Sequence, residues 1–219
     1  MALVLEKSPR TFYPFFKRLF DILFSLSFIT LFSPFYLIIA LLIKWGSKGP
    51  SFYVGKRLGK GGKVIHVLKF RTMYVDAEKR LEEMLRSDPK WKEEWDMFQK
   101  LQDDPRCTPI GKFLRKTSLD EFPQFFNVLF GSLSVVGPRP HFAFEMAENT
   151  DSPLKEHAHL VLAVKPGITG LWQVSGRNQL SYKERVELDS LYVKKQAFFY
   201  DLLVIFKTIP IVLLSKGAC

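Results

Sequence analysis

The pattern of apolar positions is dominated by one run near the N-terminus. Residues 22–43 carry no charged side chain, and a straight helix of that length would reach about 33 Å, enough to cross a bilayer. Ser33-Pro34 interrupts the run, and cations flank both of its ends, so the positive-inside rule selects no orientation. We therefore predict a re-entrant membrane segment over residues 17–48, with a plain span and a cleaved signal peptide as alternatives.

The predicted turning point has a specific chemistry. Pro34 has no backbone N–H, so it frees a carbonyl one helical turn earlier, and the Ser33 hydroxyl is placed to bond such a group. Lys17 and Arg18 precede the apolar run and are predicted to anchor it at the membrane interface. Residues 1–16 are then an N-terminal tail, and residues 49–219 form a cytoplasmic domain associated with the membrane surface.

A strand pattern follows the apolar run. Residues 52–74 alternate apolar and polar side chains around glycines at positions 59, 61 and 62, which predicts a β-hairpin. Six lysines and arginines make this hairpin basic. The glycines lack the spacing of a Walker phosphate loop, so a turn is the favoured interpretation.

Helical spacing returns further along the chain. Residues 76–101 predict two amphipathic helices separated at Asp88-Pro89, and Trp91, Trp95 and Phe98 share one face of the second. That face could meet lipid headgroups or pack on the protein core. Residues 182–192 and 198–214 predict two further helices, the last of them apolar but interrupted in a way that favours lying in the interface.

Composition narrows the classes of partner. The net charge is +10, the pI is about 9.6 and 15% of residues are aromatic, a balance that fits nucleic acid, an anionic bilayer or phosphorylated substrates. No nucleic-acid-binding motif is present, so nucleic acid is not an expected partner. Two cysteines form no disulfide framework, and the histidines lack zinc spacing.

Candidate chemistry centres on residues 103–140. Asp120 and Glu121 are adjacent there, between upstream cations and the Gly137-Pro138-Arg139-Pro140 turn, which indicates an anionic substrate. Pro123 predicts a helix start near residues 120–122, and Gly131 ends its body, so both carboxylates lie at the electropositive helix end. The alternative is that Ser118 and Glu121 are only a capping box. The upstream cations are Arg106, Lys112, Arg115 and Lys116.

A second candidate region is the turn-rich segment 165–178. It combines regularly spaced glycines with Trp172 and Arg177, and such loops carry function more often than cores do. Trp172 could stack on a nucleobase, although packing in the core is the commoner role.

Six motifs in order give the chain a resemblance to the bacterial sugar transferases, the monotopic phosphoglycosyl transferases that act on polyprenyl phosphate. Segment 170–178 is most similar to the branch that transfers hexose 1-phosphate from UDP-galactose or UDP-glucose. Lys165 stands where arginine is usual, and larger members carry extra transmembrane helices ahead of this core. The motifs are Lys17-Arg18-Leu19-Phe20-Asp21, Lys69-Phe70-Arg71-Thr72-Met73, Asp104-Pro105-Arg106, Ser118-Leu119-Asp120-Glu121-Phe122-Pro123-Gln124, Val136-Gly137-Pro138-Arg139-Pro140 and Pro166-Gly167-Ile168-Thr169-Gly170.

The resemblance implies a reaction and roles for residues. Asp120, with an ordinary pKa of about 3.9, would attack the sugar-linked phosphorus and release UMP, and polyprenyl phosphate would then take the phosphosugar. Glu121, with Asp120, would hold Mg²⁺. Alternatives are a UDP-N-acetyl-aminosugar donor and a non-catalytic membrane scaffold. Expected phosphate-binding residues are Lys69, Arg71, Arg106, Arg115, Arg139 and Arg177; expected nucleotide or sugar-binding residues are Thr169, Trp172, Gln173 and Asn178.

The predicted fold class is α+β and mainly helical. It comprises an N-terminal re-entrant helix–break–helix, a small basic β-hairpin and amphipathic interfacial helices around a compact cytoplasmic catalytic domain. The resemblance places the protein at the bacterial inner membrane with residues 49–219 on the cytoplasmic face. Expected partners are a UDP-sugar, polyprenyl phosphate and membrane lipid, and a homodimer is left open.

Overall fold

The computed structural model describes residues 12–98, 101 and 104–214, with the side chains of 96–98, 178 and 213 excepted. Within these ranges the protein is mainly helical and has two small sheets. The helices are α1 (Tyr13–Gly46), α2 (Ala77–Ser87), α3 (Pro89–Phe98), α4 (Pro109–Thr117), α5 (Gln124–Phe130), α6 (Pro153–Val161), α7 (Leu171–Ser175), α8 (Tyr182–Lys195) and α9 (Phe198–Leu213). The strands are β1 (Phe52–Leu58), β2 (Val64–Phe70), β3 (Ser134–Val136) and β4 (Gly167–Thr169).

The apolar run forms one continuous helix, α1, where the sequence predicted two helices and a break. Pro34 is tolerated inside it because the Ser33 hydroxyl donates to the Thr30 carbonyl, 2.9 Å away, which is the carbonyl that proline leaves without its backbone partner. The predicted bond of the Ser33 hydroxyl is present, while residues on both sides of Pro34 belong to one helix. Whether the chain turns back in a membrane at this point stays a prediction. By length and composition α1 is the one described helix that could cross a membrane.

The start of α1 is bound to three other elements. Lys17 Nζ lies 2.8 Å from Asp201 Oδ2 in α9. Arg18 donates to the carbonyls of Val128 and Leu129 at the end of α5, at 2.7 and 2.8 Å. Both side chains therefore have partners within the protein, and their predicted role as membrane-interface anchors stays a prediction. Buried Asp21 completes the attachment, since its Oδ1 accepts from Ser134 Oγ and from the Val135 N–H.

Contacts with the same domain continue to the far end of α1. The Phe28 and Phe125 rings stack with centroids 3.9 Å apart, and Tyr36 donates to the Phe122 carbonyl at 2.7 Å. Ile43, near the last turn, is only 1% exposed. The opposite face of α1 is apolar and exposed, with side chains that include Leu23, Leu31, Phe35, Leu37, Leu41 and Trp45.

The predicted hairpin is confirmed. β1 and β2 pair antiparallel from Phe52 opposite Phe70 to Leu58 opposite Val64. Gly61 and Gly62 in the connecting turn have φ of 71° and 72°, the left-handed region that favours glycine. A second sheet was not predicted. In it, β3 and β4 pair in parallel, with Ser134 opposite Gly167 and Val136 opposite Thr169.

The main core lies where these elements meet α1. Val128, Leu133, Val136, Tyr192 and Val204, all at most 1% exposed, form one cluster from α5, β3 and the residue before it, α8 and α9. Phenylalanines of α1 pack against this cluster. The membrane-type helix is thus a structural layer of the domain as well as its apolar exterior.

The remaining predicted helices are present. Residues 77–98 form α2 and α3, separated at Asp88, and α8 and α9 match the two predicted C-terminal helices. Trp91 and Trp95 are half-buried, and the Trp95 ring lies 5.2 Å from the Arg106 guanidinium carbon. Packing on the protein therefore accounts for part of this face; the Phe98 side chain lies outside the described set.

Replacing Asp201 with asparagine should loosen α1 from α9. The Asp201 carboxylate accepts from Tyr13 and Tyr192 hydroxyls at 2.9 and 2.6 Å and pairs with Lys17, so the change leaves a half-buried ammonium without its counter-charge. We expect a loss of about 2–4 kcal/mol in unfolding free energy, measured by thermal unfolding in detergent. Exposed Asp151→Asn is the matched control. Equal losses of unfolding free energy in the two variants would contradict a stabilising contact between Asp201 and the start of α1.

Candidate active site

The adjacent carboxylates lie in a short 3₁₀ turn, Leu119–Glu121, directly before α5. The helix body and its end at Gly131, which has φ of 89°, match the prediction. The capping-box alternative is wrong. Ser118 sits in the left-handed region with φ of 59° as the end of α4, its side chain caps no backbone N–H of the turn, and the Glu121 carboxylate is bound elsewhere.

Lys69, at the end of β2, is the shared partner of the two acids. Its Nζ lies 2.7 Å from Glu121 Oε1 and 3.9 Å from Asp120 Oδ2. Burial acts to lower the pKa of Lys69, but the charges of Glu121 and Asp120 outweigh it and raise that pKa. A single ammonium therefore stabilises both carboxylates in their charged forms.

The two carboxyl groups differ in acidity. Burial raises the pKa of Asp120 to about 6, against the opposing charge of Lys69, so the ordinary value expected from the sequence is corrected upward. Burial also acts to raise the pKa of Glu121, but Lys69 outweighs it, with Arg177 and Arg139 adding to a net lowering. At neutral pH both groups are ionised for most of the time, and Asp120 is the more basic of the pair.

Four arginines complete a positive environment around the acids. Arg115 donates to Thr72 Oγ1 at 2.9 Å. Its charge acts to lower the pKa of Asp120 and so opposes part of the effect of burial. Arg177 donates to Ser118 Oγ at 3.1 Å. Arg139, like Arg177, lowers the pKa of Glu121. The structure thus brings together Lys69, Arg115, Arg139 and Arg177 as predicted.

The fourth arginine, Arg57, was not among the predicted site residues. Its guanidinium carbon lies 3.5 Å from the centroid of the Phe142 ring, and its charge interacts with those of Lys69 and Glu121. The pairing of the two hairpin strands indicates that Arg57 belongs to the site. Arg57 pairs with Ile65 and Tyr53 with Lys69, so the two-residue alternation puts Arg57 and Lys69 on one face of the hairpin.

Two predicted phosphate-binding arginines are directed elsewhere. Arg71 donates to Ser47 Oγ and to the Ser47 carbonyl, both at 3.0 Å, and so holds the turn after α1. Arg106 is buried and forms a two-pronged pair with Asp104, at 2.7 to 3.1 Å. The Arg71 guanidinium thus binds oxygens of Ser47, and that of Arg106 binds the Asp104 carboxylate. The structure therefore does not place them among the site cations.

Next to the acids runs an apolar groove of about 360 Å³. Its walls come from phenylalanines of α1 and α5 and from aliphatic side chains of α9. Ser118, Glu121 and Arg177 lie together in its lining, whereas Asp120 is not part of it. A groove of this kind offers an apolar chain a dry surface that leads to a charged group.

The predicted nucleotide or sugar-binding segment contributes to the same groove. Thr169 and Gln173 line it, and the Thr169 hydroxyl shares a 2.8 Å hydrogen bond with Thr208 of α9. The half-buried Trp172 ring has two guanidinium carbons near it, Arg139 at 5.6 Å and Arg185 at 5.3 Å. The Asn178 side chain lies outside the described set, so its predicted role is untouched.

The residues present allow a metal but do not form a cage for one. Among the described residues, no group of three His, Cys, Asp or Glu side chains could hold a metal ion. Mg²⁺ is commonly held by one or two protein carboxylates, with phosphate oxygens and water completing the shell. Asp120 and Glu121 fit that second mode.

Comparison with known proteins decides the family. The model of the bacterial sugar transferase family matches residues 12–215. The chain belongs to this family. The resemblance drawn from the six motifs and the predicted class of enzyme, a sugar-phosphate transferase, are thereby confirmed.

Named relatives of the transferase are similar over most of its length. It is 47% identical to the exopolysaccharide production protein ExoY of Rhizobium meliloti over 202 residues, 92% of this chain and 87% of the relative. It is 44% identical to the undecaprenyl-phosphate galactose phosphotransferase of Salmonella typhimurium, covering 93% of this chain and 42% of the relative. A UDP-glucose:undecaprenyl-phosphate glucose-1-phosphate transferase of Klebsiella pneumoniae is 43% identical, with coverage of 93% and 41%.

Behind the transferase site lies a buried ionic cluster that positions Arg139. His141 is 1% exposed; its Nδ1 lies 2.8 Å from Glu145 Oε2 and its Nε2 lies 3.7 Å from Asp189 Oδ2. The same Asp189 oxygen accepts the Arg139 backbone N–H at 3.0 Å. Burial acts to lower the pKa of His141, but Asp189 and Glu145 outweigh it and raise that pKa.

The raised pKa of His141 predicts a pH-dependent contribution to stability. A group whose pKa is higher in the folded state stabilises fully below its unfolded pKa of about 6.5 and loses that contribution as pH rises through the folded value. We expect the gap in unfolding temperature between the parent and His141→Gln to be larger at pH 6 than at pH 9. A gap that stays constant across this range would show that His141 is uncharged when folded.

Proposed function

We propose that this transferase moves a hexose 1-phosphate from a UDP-sugar to polyprenyl phosphate, giving polyprenyl-diphosphate-sugar and UMP. One observation carries the proposal. Two neighbouring carboxylates are bridged by Lys69, with arginines around them and an apolar groove beside them. The names of the Salmonella and Klebsiella relatives include undecaprenyl phosphate, and exopolysaccharide production by ExoY supports a role in surface-glycan assembly.

In the first half of the reaction, an Asp120 carboxylate oxygen attacks the sugar-linked phosphorus of the donor. The bond between that phosphorus and the bridging oxygen breaks, and UMP leaves with the oxygen. Asp120 then carries the phosphosugar as an acyl phosphate. Its raised pKa supports this role, because the more basic carboxylate is the better nucleophile while remaining mostly ionised at pH 7. Arg57, Lys69 and Arg139 offset the charge of the diphosphate.

In the second half, an oxygen of polyprenyl phosphate attacks the same phosphorus and restores the Asp120 carboxylate. The groove supports this step, since its apolar lining suits isoprenoid units and Arg177 in that lining suits the phosphate. Glu121 lies in the groove wall, so it borders the space that the acceptor would enter. Transfer through an enzyme-bound intermediate lets donor and acceptor use the site in turn.

Glu121, together with Asp120, is proposed to hold Mg²⁺ that arrives with the diphosphate. When bound, the metal supplies charge neutralisation at the phosphate oxygens. Glu121 suits this task because Lys69 keeps it ionised and its side chain is 38% exposed. Asp120, at 12% side-chain exposure, is less open to solvent.

The membrane arrangement is proposed to be re-entrant, with both ends of α1 on the cytoplasmic face of the inner membrane. A straight helix of 34 residues is about 50 Å long, yet Lys17 near its start and Ile43 near its end both pack on the same domain. A spanning helix would carry one end away from that domain. The exposed stripe Phe199, Leu203 and Phe206 on α9 supports an additional contact with the bilayer surface.

UDP-galactose or UDP-glucose is the proposed donor, because two relatives bear these sugars in their names. A UDP-N-acetyl-aminosugar is the second candidate. A panel of UDP-sugars scored for UMP release identifies the donor.

The two carboxylates should fail in different ways when neutralised. With UDP-sugar alone, the parent should release up to about one equivalent of UMP and become labelled from the sugar, and hydroxylamine should remove the label. Asp120→Asn should lose both signals by about 10³-fold or more, because the nucleophile is gone. Glu121→Gln should retain a trace that rises with Mg²⁺ concentration, since water can partly replace a metal ligand.

The matched control is Asp104→Asn, another buried acid that pairs with an arginine and lies outside the site. It should keep the UMP burst as long as it folds. If UMP appeared only after polyprenyl phosphate was added, direct displacement would replace the covalent route. A normal burst in Asp120→Asn together with loss of labelling in Glu121→Gln would reverse the two roles.

The topology is tested by single cysteines at Phe12 and Lys48, which flank α1, in a Cys219→Ser background that retains buried Cys107. An impermeant maleimide should label neither position in intact cells and both in inverted vesicles, because both ends face the cytoplasm. Labelling of one end from outside would establish a span. Replacing Pro34 with leucine restores the missing hydrogen bond and should shift part of the population towards that span.

A further inference from the structure

A second cavity lies at the start of α1, away from the carboxylates. It has a volume of about 190 Å³ and is lined by Lys17, Arg18, Lys60 and Lys165, together with Asp21. Arg18 bonds to the last carbonyls of α5, whereas the catalytic acids precede the first residue of that helix. Because α5 has seven residues, about 10 Å of helix separates the two sites.

The cations of this cavity are close together and under-compensated. Arg18 Nη2 and Lys165 Nζ lie 3.3 and 3.4 Å from the position that a side-chain carbon at Gly131 would occupy. Burial lowers the pKa of Lys165, and the charges of Arg18 and Lys60 lower it further. Lys17 is paired with Asp201, so three cations face one carboxylate, that of Asp21.

An apolar cavity of about 300 Å³ adjoins the cationic one and shares Tyr13 and Gln196 with it. Phe16 and Phe198 form its walls, and the two together combine a site for an oxyanion with a surface for hydrocarbon. The exposed apolar face of α1 begins here, since Phe12 and Phe15 are 72% and 65% exposed. This end of the molecule therefore carries clustered cations and exposed aromatic side chains next to each other.

We propose that these joined cavities bind one anionic phospholipid, with its phosphate between Arg18, Lys60 and Lys165 and its first methylenes against Phe16 and Phe198. Phosphate oxyanions match clustered Lys and Arg side chains, and the adjoining aromatic wall selects an amphiphile over a free anion. Such a lipid would relieve the repulsion among the cations. It would also hold the start of α1 at the membrane surface, next to the ion pair between Lys17 and Asp201 of α9.

The test uses the full chain in nonionic detergent and follows its unfolding temperature with dioctanoyl phosphatidylglycerol, dioctanoyl phosphatidylcholine or inorganic phosphate. Phosphatidylglycerol should raise the unfolding temperature of the parent more than either other probe at equal concentration. In Lys60→Gln/Lys165→Gln this rise should fall by more than about half. Lys56→Gln/Lys63→Gln, which removes the same charge from exposed positions of the hairpin, should keep it.

A second pair of variants tests the apolar part. Phe16→Ala should weaken the response to phosphatidylglycerol, whereas Phe15→Ala, one position earlier and outside the cavity lining, should not. Equal responses of the two double lysine variants would overturn the site. An inorganic phosphate effect as large as that of the lipid would reduce it to a simple anion site and overturn the lipid proposal. No UDP-sugar is present, so these results are independent of the proposed transfer reaction.

Discussion

The Lys69 ammonium is the charge on which the arrangement of the site depends. Two adjacent carboxylates repel each other and would also repel a diphosphate, by several kcal/mol at about 4 Å in a partly shielded environment. Lys69 lies 2.7 and 3.9 Å from them and offsets both effects. Its own position follows from the next residue, Phe70, which is 2% exposed in the cluster with Tyr36 and Leu114. The electrostatics of the acids thus depend on the packing of the hairpin against α1 and α4.

Local signals predicted local structure well. Pro123 and Gly131 gave the bounds of α5, and the alternation over residues 52–74 gave the hairpin, because these features depend on backbone sterics and side-chain period. The parallel pair of β3 and β4 was not predictable in this way. Each strand has three residues, and the partners are separated by more than thirty positions, so no periodic pattern develops in either one.

The partners of the cationic side chains could not be predicted from the sequence either. A sequence shows that Arg71 and Arg106 are cationic near the motif, but not which oxygens they meet. Arg106 finds Asp104 two residues earlier, and Arg71 finds the turn after α1. Arg57 was overlooked for the converse reason, since its strand register matters more than its distance along the chain from the acids. Lys17 and Arg18 likewise have partners across the fold, in α9 and α5, that their place beside the apolar run did not indicate.

The hydrogen bond from Tyr36 to the Phe122 carbonyl has a mechanical consequence. Phe122 follows Glu121 directly, so this hydrogen bond joins α1 to the backbone of the turn that holds the two carboxylates. If α1 lies in the bilayer as proposed, the position of Tyr36 along the helix sets the height of the carboxylates above the hydrocarbon. The length of α1 up to Tyr36 then determines how far the two carboxylates lie from the lipid. A one-residue insertion between Pro34 and Tyr36 would rotate the Tyr36 hydroxyl by about 100° around the helix axis and shift the turn relative to the plane of lipid phosphates.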